Sequence, residues 1–182
     1  MKQALYGTLV LCAVLAACSS DSDTTSAGTD NRTNPTEIEV RPTAFNIANQ
    51  CVAIQSLANK KFIGLNTDGS YSVTQATAGN AAPFFLKPTA LGKYMIYNRD
   101  EAMMQATGSS AGTPVGSSTA FSDAVEWAVQ EDTQARDGFS LINSGNNMKL
   151  ALLSLSEGLS TVESSGNSEE TLFQFVETTG CA

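Results

Sequence analysis

The 182-residue chain contains no histidine. That absence removes Ser-His and Cys-His nucleophile pairs, and it removes histidine-ligated zinc and non-haem iron. No SxxK, GxSxG or GxxxxGK(S/T) pattern is present either. Positive charge is scarce, with 10 Lys and Arg against 18 Asp and Glu and a net charge of −8. Between Cys51 and Ala182 only seven basic residues occur, singly or as Lys60-Lys61, against thirteen acids. Phosphate backbones are held by clustered Lys and Arg, so this balance argues against a nucleic-acid partner, and the acidity serves solubility. A run long enough to span a bilayer is also missing. The longest apolar stretch, Ala4 to Ala17, has 14 residues, against roughly 20 for a spanning helix. Nothing in the sequence calls for a cofactor or a metal. The hydrophobic fraction is 42%, which is globular rather than disordered in character.

What is present begins with an export signal. Lys2 gives a positive start, the apolar run follows, and it ends in Leu15-Ala16-Ala17-Cys18 before a polar Ser19-Ser20-Asp21. This resembles the lipobox of bacterial lipoproteins. The resemblance implies a signal peptide over 1–17 and a lipid on Cys18, the first mature residue. Several acyl chains together hold a protein on a membrane where one alone does not. An ordinary secretory signal cut near Ala17 is the alternative. In bacteria with two membranes, aspartate directly after the lipidated cysteine favours the inner membrane. Here Ser19 stands at that position, and the resemblance points to the outer membrane of the cell envelope.

Residues 18–42 are rich in Ser, Thr, Asp, Asn and Gly, with almost no apolar content before Ile38. Such a segment buries too little surface to offset its chain entropy, and it is expected to be a flexible tether. Asp21, Asp23 and Asp30 do not have the spacing of a calcium loop. With Cys12 in the signal and Cys18 carrying lipid, Cys51 and Cys181 remain, at either end of the region 43–182. In an exported protein such a pair is expected to form a disulfide, two free thiols being the alternative. The bond closes a loop of about 130 residues, worth on the order of 4–5 kcal/mol by the chain-entropy model, and it requires the two ends to meet.

Between those cysteines one pattern of strands recurs three times. Val52-Ala53-Ile54, Tyr94-Met95-Ile96 and Phe139-Ser140-Leu141 open the units, and Phe84-Phe85-Leu86, Val125 to Val129 and Phe173 to Val176 close them. Ile54 to Phe85 is 31 residues, Ile96 to Trp127 is 31, and Leu141 to Phe175 is 34. Inner strands are expected at Lys61–Leu65 and Tyr71–Val73, at Met103-Met104 and Val115–Thr119, and at Met148–Leu153 and Leu159–Val162. Asp68-Gly69 and Glu157-Gly158 mark hairpin turns.

Three four-strand units resemble a β-trefoil, with Gly92-Lys93-Tyr94 and Lys60-Lys61-Phe62 echoing the fascin-type and ricin-B-type phrasing. The fold expected is all-β and pseudo-threefold, with another closed β-barrel or sandwich as the alternative. Closure leaves no open sheet edge and brings the termini together. Phe85, Trp127 and Phe175 are expected in equivalent core layers rather than on a sugar platform. Ricin-B-type lectins carry Gln-x-Trp near the end of each unit. The corresponding positions here are Pro83, Val125 and Phe173, so that family's sugar-orienting groups are not carried over.

Asp100-Glu101, Glu131-Asp132 and Glu169-Glu170 are adjacent acids in expected turns, where they point into water rather than across a substrate. Gly108 to Gly112 has no following lysine or helix to make a phosphate cradle, and it is expected to be a mobile loop of the kind that contacts partners. The reading is therefore a non-catalytic, lipid-anchored binding module for glycan, cell-wall material or an envelope protein. The alternative is an accessory, N-terminal trefoil domain of an exported hydrolase, since the chain resembles segments ahead of metal-dependent amidohydrolases or dipeptidases. Its end, just after Cys181, fits a complete small lipoprotein or a longer chain divided at a domain boundary.

Overall fold

The computed structural model describes residues 42–135, 137–153, 157–165 and 168–181. The signal segment, Cys18 and the tether up to Arg41 lie outside the described residues. Twelve strands occur in chain order. They are β1 (Cys51–Ser56), β2 (Phe62–Leu65), β3 (Tyr71–Gln75), β4 (Phe84–Ala90), β5 (Lys93–Asn98) and β6 (Met103–Ala106), then β7 (Val115–Ser118), β8 (Glu126–Glu131), β9 (Phe139–Asn143), β10 (Met148–Leu153), β11 (Gly158–Glu163) and β12 (Phe173–Glu177). No α-helix occurs among the described residues. Single 3₁₀ turns at Ala78–Asn80, Asp123–Val125 and Glu169–Thr171 precede β4, β8 and β12. These three turns repeat as faithfully as the strands do, but they are too short to leave a periodic signal in the sequence.

Six strands close on themselves. β1 pairs with β4, β4 with β5, β5 with β8, β8 with β9, β9 with β12, and β12 returns to β1, every pair antiparallel. The hairpins β2–β3, β6–β7 and β10–β11 cap one end. They touch in a cycle through Ser70–Gly116, Pro114–Ser160 and Gly158–Ser72. Twelve strands in three units around a pseudo-threefold axis is the arrangement the repeats imply.

The register fixes which residues are equivalent. Val52 faces Phe84, Tyr94 faces Trp127, and Phe139 faces Phe173. One rung on, Ile54 faces Phe175, Ile96 faces Leu86, and Leu141 faces Val129. All twelve are buried. The opening residues Ile54, Ile96 and Leu141 are thus equivalent, as the sequence suggests. The aromatic set is not Phe85, Trp127 and Phe175 but Phe84, Trp127 and Phe173. Side chains alternate faces with a period of two, so the one-residue slip puts Phe85 on the outer face, where it is half-buried. Phe175 is core, but in the layer of Leu86 and Val129. The corrected separations, 30, 31 and 32 residues, are more regular than those read from the sequence. The residues two before the aromatics become Ala82, Val125 and Thr171, and glutamine is still absent.

The open end of the barrel is plugged by a turn spanning residues 44–49, which has no strand signal. Ile47 and Ala44 join the core, and Asn49 donates its N–H to Leu86 O at 2.8 Å. Tyr94 Oη donates to Ala44 O at 2.6 Å, and Ala44 N donates to Glu131 Oε1 at 2.8 Å. Cys51 and Cys181 are bonded, with Cα atoms 5.7 Å apart.

Candidate functional site

The outer face of β4 and β5 carries a groove that three aromatic residues, Phe85, Tyr97 and Phe121, help to line. Alternation along β4 sends Phe84 and Leu86 inward and Phe85 and Lys87 outward. Along β5 it sends Tyr94, Ile96 and Asn98 inward and Met95 and Tyr97 outward. Phe85 stands directly opposite Tyr97 across the ladder, and Lys87 opposite Met95, so these four side chains are cross-strand neighbours on the outer face. The Lys87 ammonium lies 5.8 Å from the Tyr97 ring centroid, within cation–π range.

The turn after β5 forms one wall. Asn98 is buried, and its side chain organises that turn. Its Oδ1 accepts from the N–H groups of Asp100 at 3.0 Å and Ala102 at 3.1 Å, and its Nδ2 donates to Tyr71 Oη at 3.3 Å. Burial pushes the Tyr71 hydroxyl up to about 12, so it stays protonated. Held this way, the turn places Glu101 in the left-handed region, at φ 58°. The opposite wall is Phe121, in the loop between β7 and the 3₁₀ turn at Asp123–Val125, with 70% of its surface exposed. Phe85, Lys87, Tyr97, Asn98, Glu101 and Phe121 together enclose about 370 Å³, at the small end of ligand-site volumes. A second, smaller hollow of about 140 Å³, lined by Gln75, Asn80 and Arg99, shares Asn98 with it.

The chemistry on offer is stacking surface, one ammonium and one carboxylate. Glycosidic cleavage uses two carboxylates flanking the bond, and Glu101 is the single acid lining the groove. Two of the other adjacent acids have partners elsewhere. Asp100 lies 3.9 Å from Arg99. Asp132 accepts from the N–H groups of Gln134 and Ala135, which hold its carboxyl below the usual carboxylate range. Among the described residues no three His, Cys, Asp or Glu side chains come together as a metal site. The glycine-rich segment Gly108 to Gly112 is a loop, as the composition suggests, and it lies against the third unit. Gly112 N donates to Thr161 O at 2.6 Å, and Asn146 Nδ2 donates to Gly108 O at 2.7 Å, tying the segment to the third unit.

No protein-family model and no curated protein matches the sequence. Solved structures do match. ThreeFoil, a designed threefold-symmetric protein, superposes with a TM-score of 0.61 at 15% identity, over 70% of this chain and 99% of that one. The Polyporus squamosus lectin, bound to a human-type influenza-binding epitope, gives 0.60 at 16% identity, over 71% of this chain and 49% of that one. SeviL, bound to asialo-GM1 saccharide, gives 0.60 at 16% identity, over 72% and 100%. The fold is a β-trefoil. At these identities the likeness shows the fold alone. Trefoils of this shape also occur within enzymes, and this chain spans 33% of an endo-β-galactosidase from Clostridium perfringens.

Of the groove's residues, the sequence raises Phe85 as a sugar platform and Glu101 as a catalytic acid, and it favours neither role. Phe85 was assigned to the core. Phe121, Tyr97 and Lys87 carry no motif, and they meet only once the barrel closes. Phe121, a lone aromatic amid Ser, Thr, Ala and Asp, is the one signal that was there to find.

Proposed function

We propose that this protein is a lipid-anchored envelope module that binds carbohydrate without cleaving it, and that the groove on β4 and β5 is its contact surface. The observation that carries the reading is the aromatic groove itself. Phe121 stands largely in water beside Phe85 and Tyr97. Sugar rings present apolar C–H faces to such rings and hydroxyls to polar groups at the rim, here Lys87 and Glu101. Aromatic side chains supply large contact area at low entropic cost. The saccharides named with the Polyporus lectin and SeviL support the same class of ligand. Anchoring rests on Leu15-Ala16-Ala17-Cys18, with Ser19 favouring an outer membrane, and intact mass of the mature protein checks for acyl chains on Cys18.

A glycan and peptidoglycan-fragment binding screen with the full chain tests the proposal. Binding to at least one saccharide is expected, with no cleavage product, and Phe121→Ala is expected to weaken it about tenfold, the value of one stacking contact. Uniform failure to bind removes the carbohydrate reading and leaves an envelope protein as partner. The trefoils inside enzymes favour a second reading, an accessory domain of an exported hydrolase. The coding sequence beyond codon 182 and the adjacent genes decide between the two.

A further inference from the structure

We propose that the groove selects an acidic saccharide, one carrying a carboxylate, and that Lys87 is the group that makes the selection. This rests on the carbohydrate reading of the same groove. Three of the described cations stand against carboxylates. Lys61 is paired with Glu157, Lys93 bonds Glu126 at 2.9 Å, and Arg99 lies beside Asp100. None of the ion pairs among the described residues includes Lys87. Its ammonium is held instead over the Tyr97 ring, on the wall of a groove that a ligand enters. An ammonium has three donors, and a ring face engages at most one side of it. The remaining donors are left for the ligand, and a carboxylate answers them with charge-assisted hydrogen bonds, stronger than those from a hydroxyl.

Glu101 sets the orientation. It lines the same groove, repels a carboxylate and accepts from hydroxyls. An acidic sugar therefore docks one way round, with its acid group toward Lys87 and its hydroxyls toward Glu101, its ring against the aromatic wall. A sugar carrying two acid groups on opposite edges is disfavoured.

The probes are two trisaccharides that differ only in one ring, glucuronic acid against glucose, titrated calorimetrically into the full chain. The acidic one is expected to bind three- to tenfold more tightly at low salt, the preference shrinking as ionic strength rises. Lys87→Gln is expected to bring the two ligands to parity, Lys87→Arg to keep the preference, and Glu101→Gln to enlarge it. Lys87 is exposed, so its variants are expected to leave the thermal midpoint unchanged and to read binding alone. Neutral sugar bound as tightly as acidic by the wild type overturns the proposal while leaving the carbohydrate reading intact. So does a preference that survives Lys87→Gln. Binding of neither, with other glycans also silent in the wider screen, overturns both.

Discussion

Glu126 has the most strongly stabilised charge among the described carboxylates. Lys93 Nζ donates to it at 2.9 Å, Thr89 Oγ1 at 2.7 Å and Ser144 Oγ at 2.7 Å, together lowering its pKa from 4.5 to about 2. These partners come from β4, β5 and the turn after β9, so one carboxylate ties the first two units to the third. Above the unfolded value, near 4.5, the ionised group contributes its full stabilisation. As the pH falls from 4.5 toward 2 the unfolded chain takes up the proton first, and the contribution is lost. Lys93 is partly exposed, so solvent screening discounts the shift. Glu126→Gln is expected to lower the unfolding free energy by about 1–2 kcal/mol at pH 7 and by almost nothing at pH 2. Urea titrations of both proteins across that range check it, and a gap independent of pH contradicts it. Little of this was legible in the sequence. Glu126 is an outward residue on an aromatic strand, and its partners lie 37, 33 and 18 positions away. Phe85 failed for a related reason. Two adjacent phenylalanines fit either face of a strand, and only pairing across the ladder assigns the faces.

At the scale of the strand and turn, the threefold repeat extends into backbone conformations that composition hides. Ser56, Asn98 and Asn143 end the opening strand of their units, all three buried. Each accepts from the N–H two residues on, Ala58 at 3.3 Å, Asp100 at 3.0 Å and Gly145 at 3.0 Å. Later in each turn one residue adopts the left-handed region: Lys60 at φ 59°, Glu101 at 58° and Asn147 at 56°. In the third unit Ser-Gly-Asn-Asn announces a turn. In the first two the left-handed residues are a lysine and a glutamate, and although Asp100-Glu101 reads as a turn, no propensity flags the left-handed position in either. Asn tolerates this conformation and Lys carries a cost, which yields a direct test. Lys60→Asn is expected to raise stability by about 0.5–1 kcal/mol, read from the denaturation midpoint at unchanged slope. A fall in stability means that the Lys60 side chain contributes more than its backbone costs. Glu101→Asn makes the parallel change in the second unit, but it also removes the groove's acid, so its stability and binding effects are to be read apart.

For the molecule as a whole, the closed cycle of strands makes its first and last strands neighbours. That much was legible, because three similar units around an axis must return the last strand to the first. The plug at 44–49 was not, having no period, and neither was the groove, whose walls are 36 residues apart at Phe85 and Phe121. Where the ends meet, β1 and β12 pair over five residues from Val52–Glu177 to Ser56–Phe173. The disulfide sits just beyond that ladder, and Thr178 N donates to Cys51 O at 3.0 Å. The native contacts around the bond thus hold the ends together without it. Its effect falls chiefly on the unfolded chain, where it closes a loop of 130 residues and removes conformations. Replacing both cysteines by serine is expected to leave the β-sheet circular dichroism spectrum unchanged and to lower stability by about 4–5 kcal/mol, the chain-entropy value for this loop. The denaturant slope is expected to rise, because an uncrosslinked chain exposes more surface on unfolding. Saccharide binding is expected to stay as it is, since the groove is built on β4, β5 and the loop before β8. A variant that loses native spectrum at neutral pH shows instead that the β1–β12 ladder does not close the barrel unaided, and that the bond is a structural requirement rather than a restraint on the unfolded state.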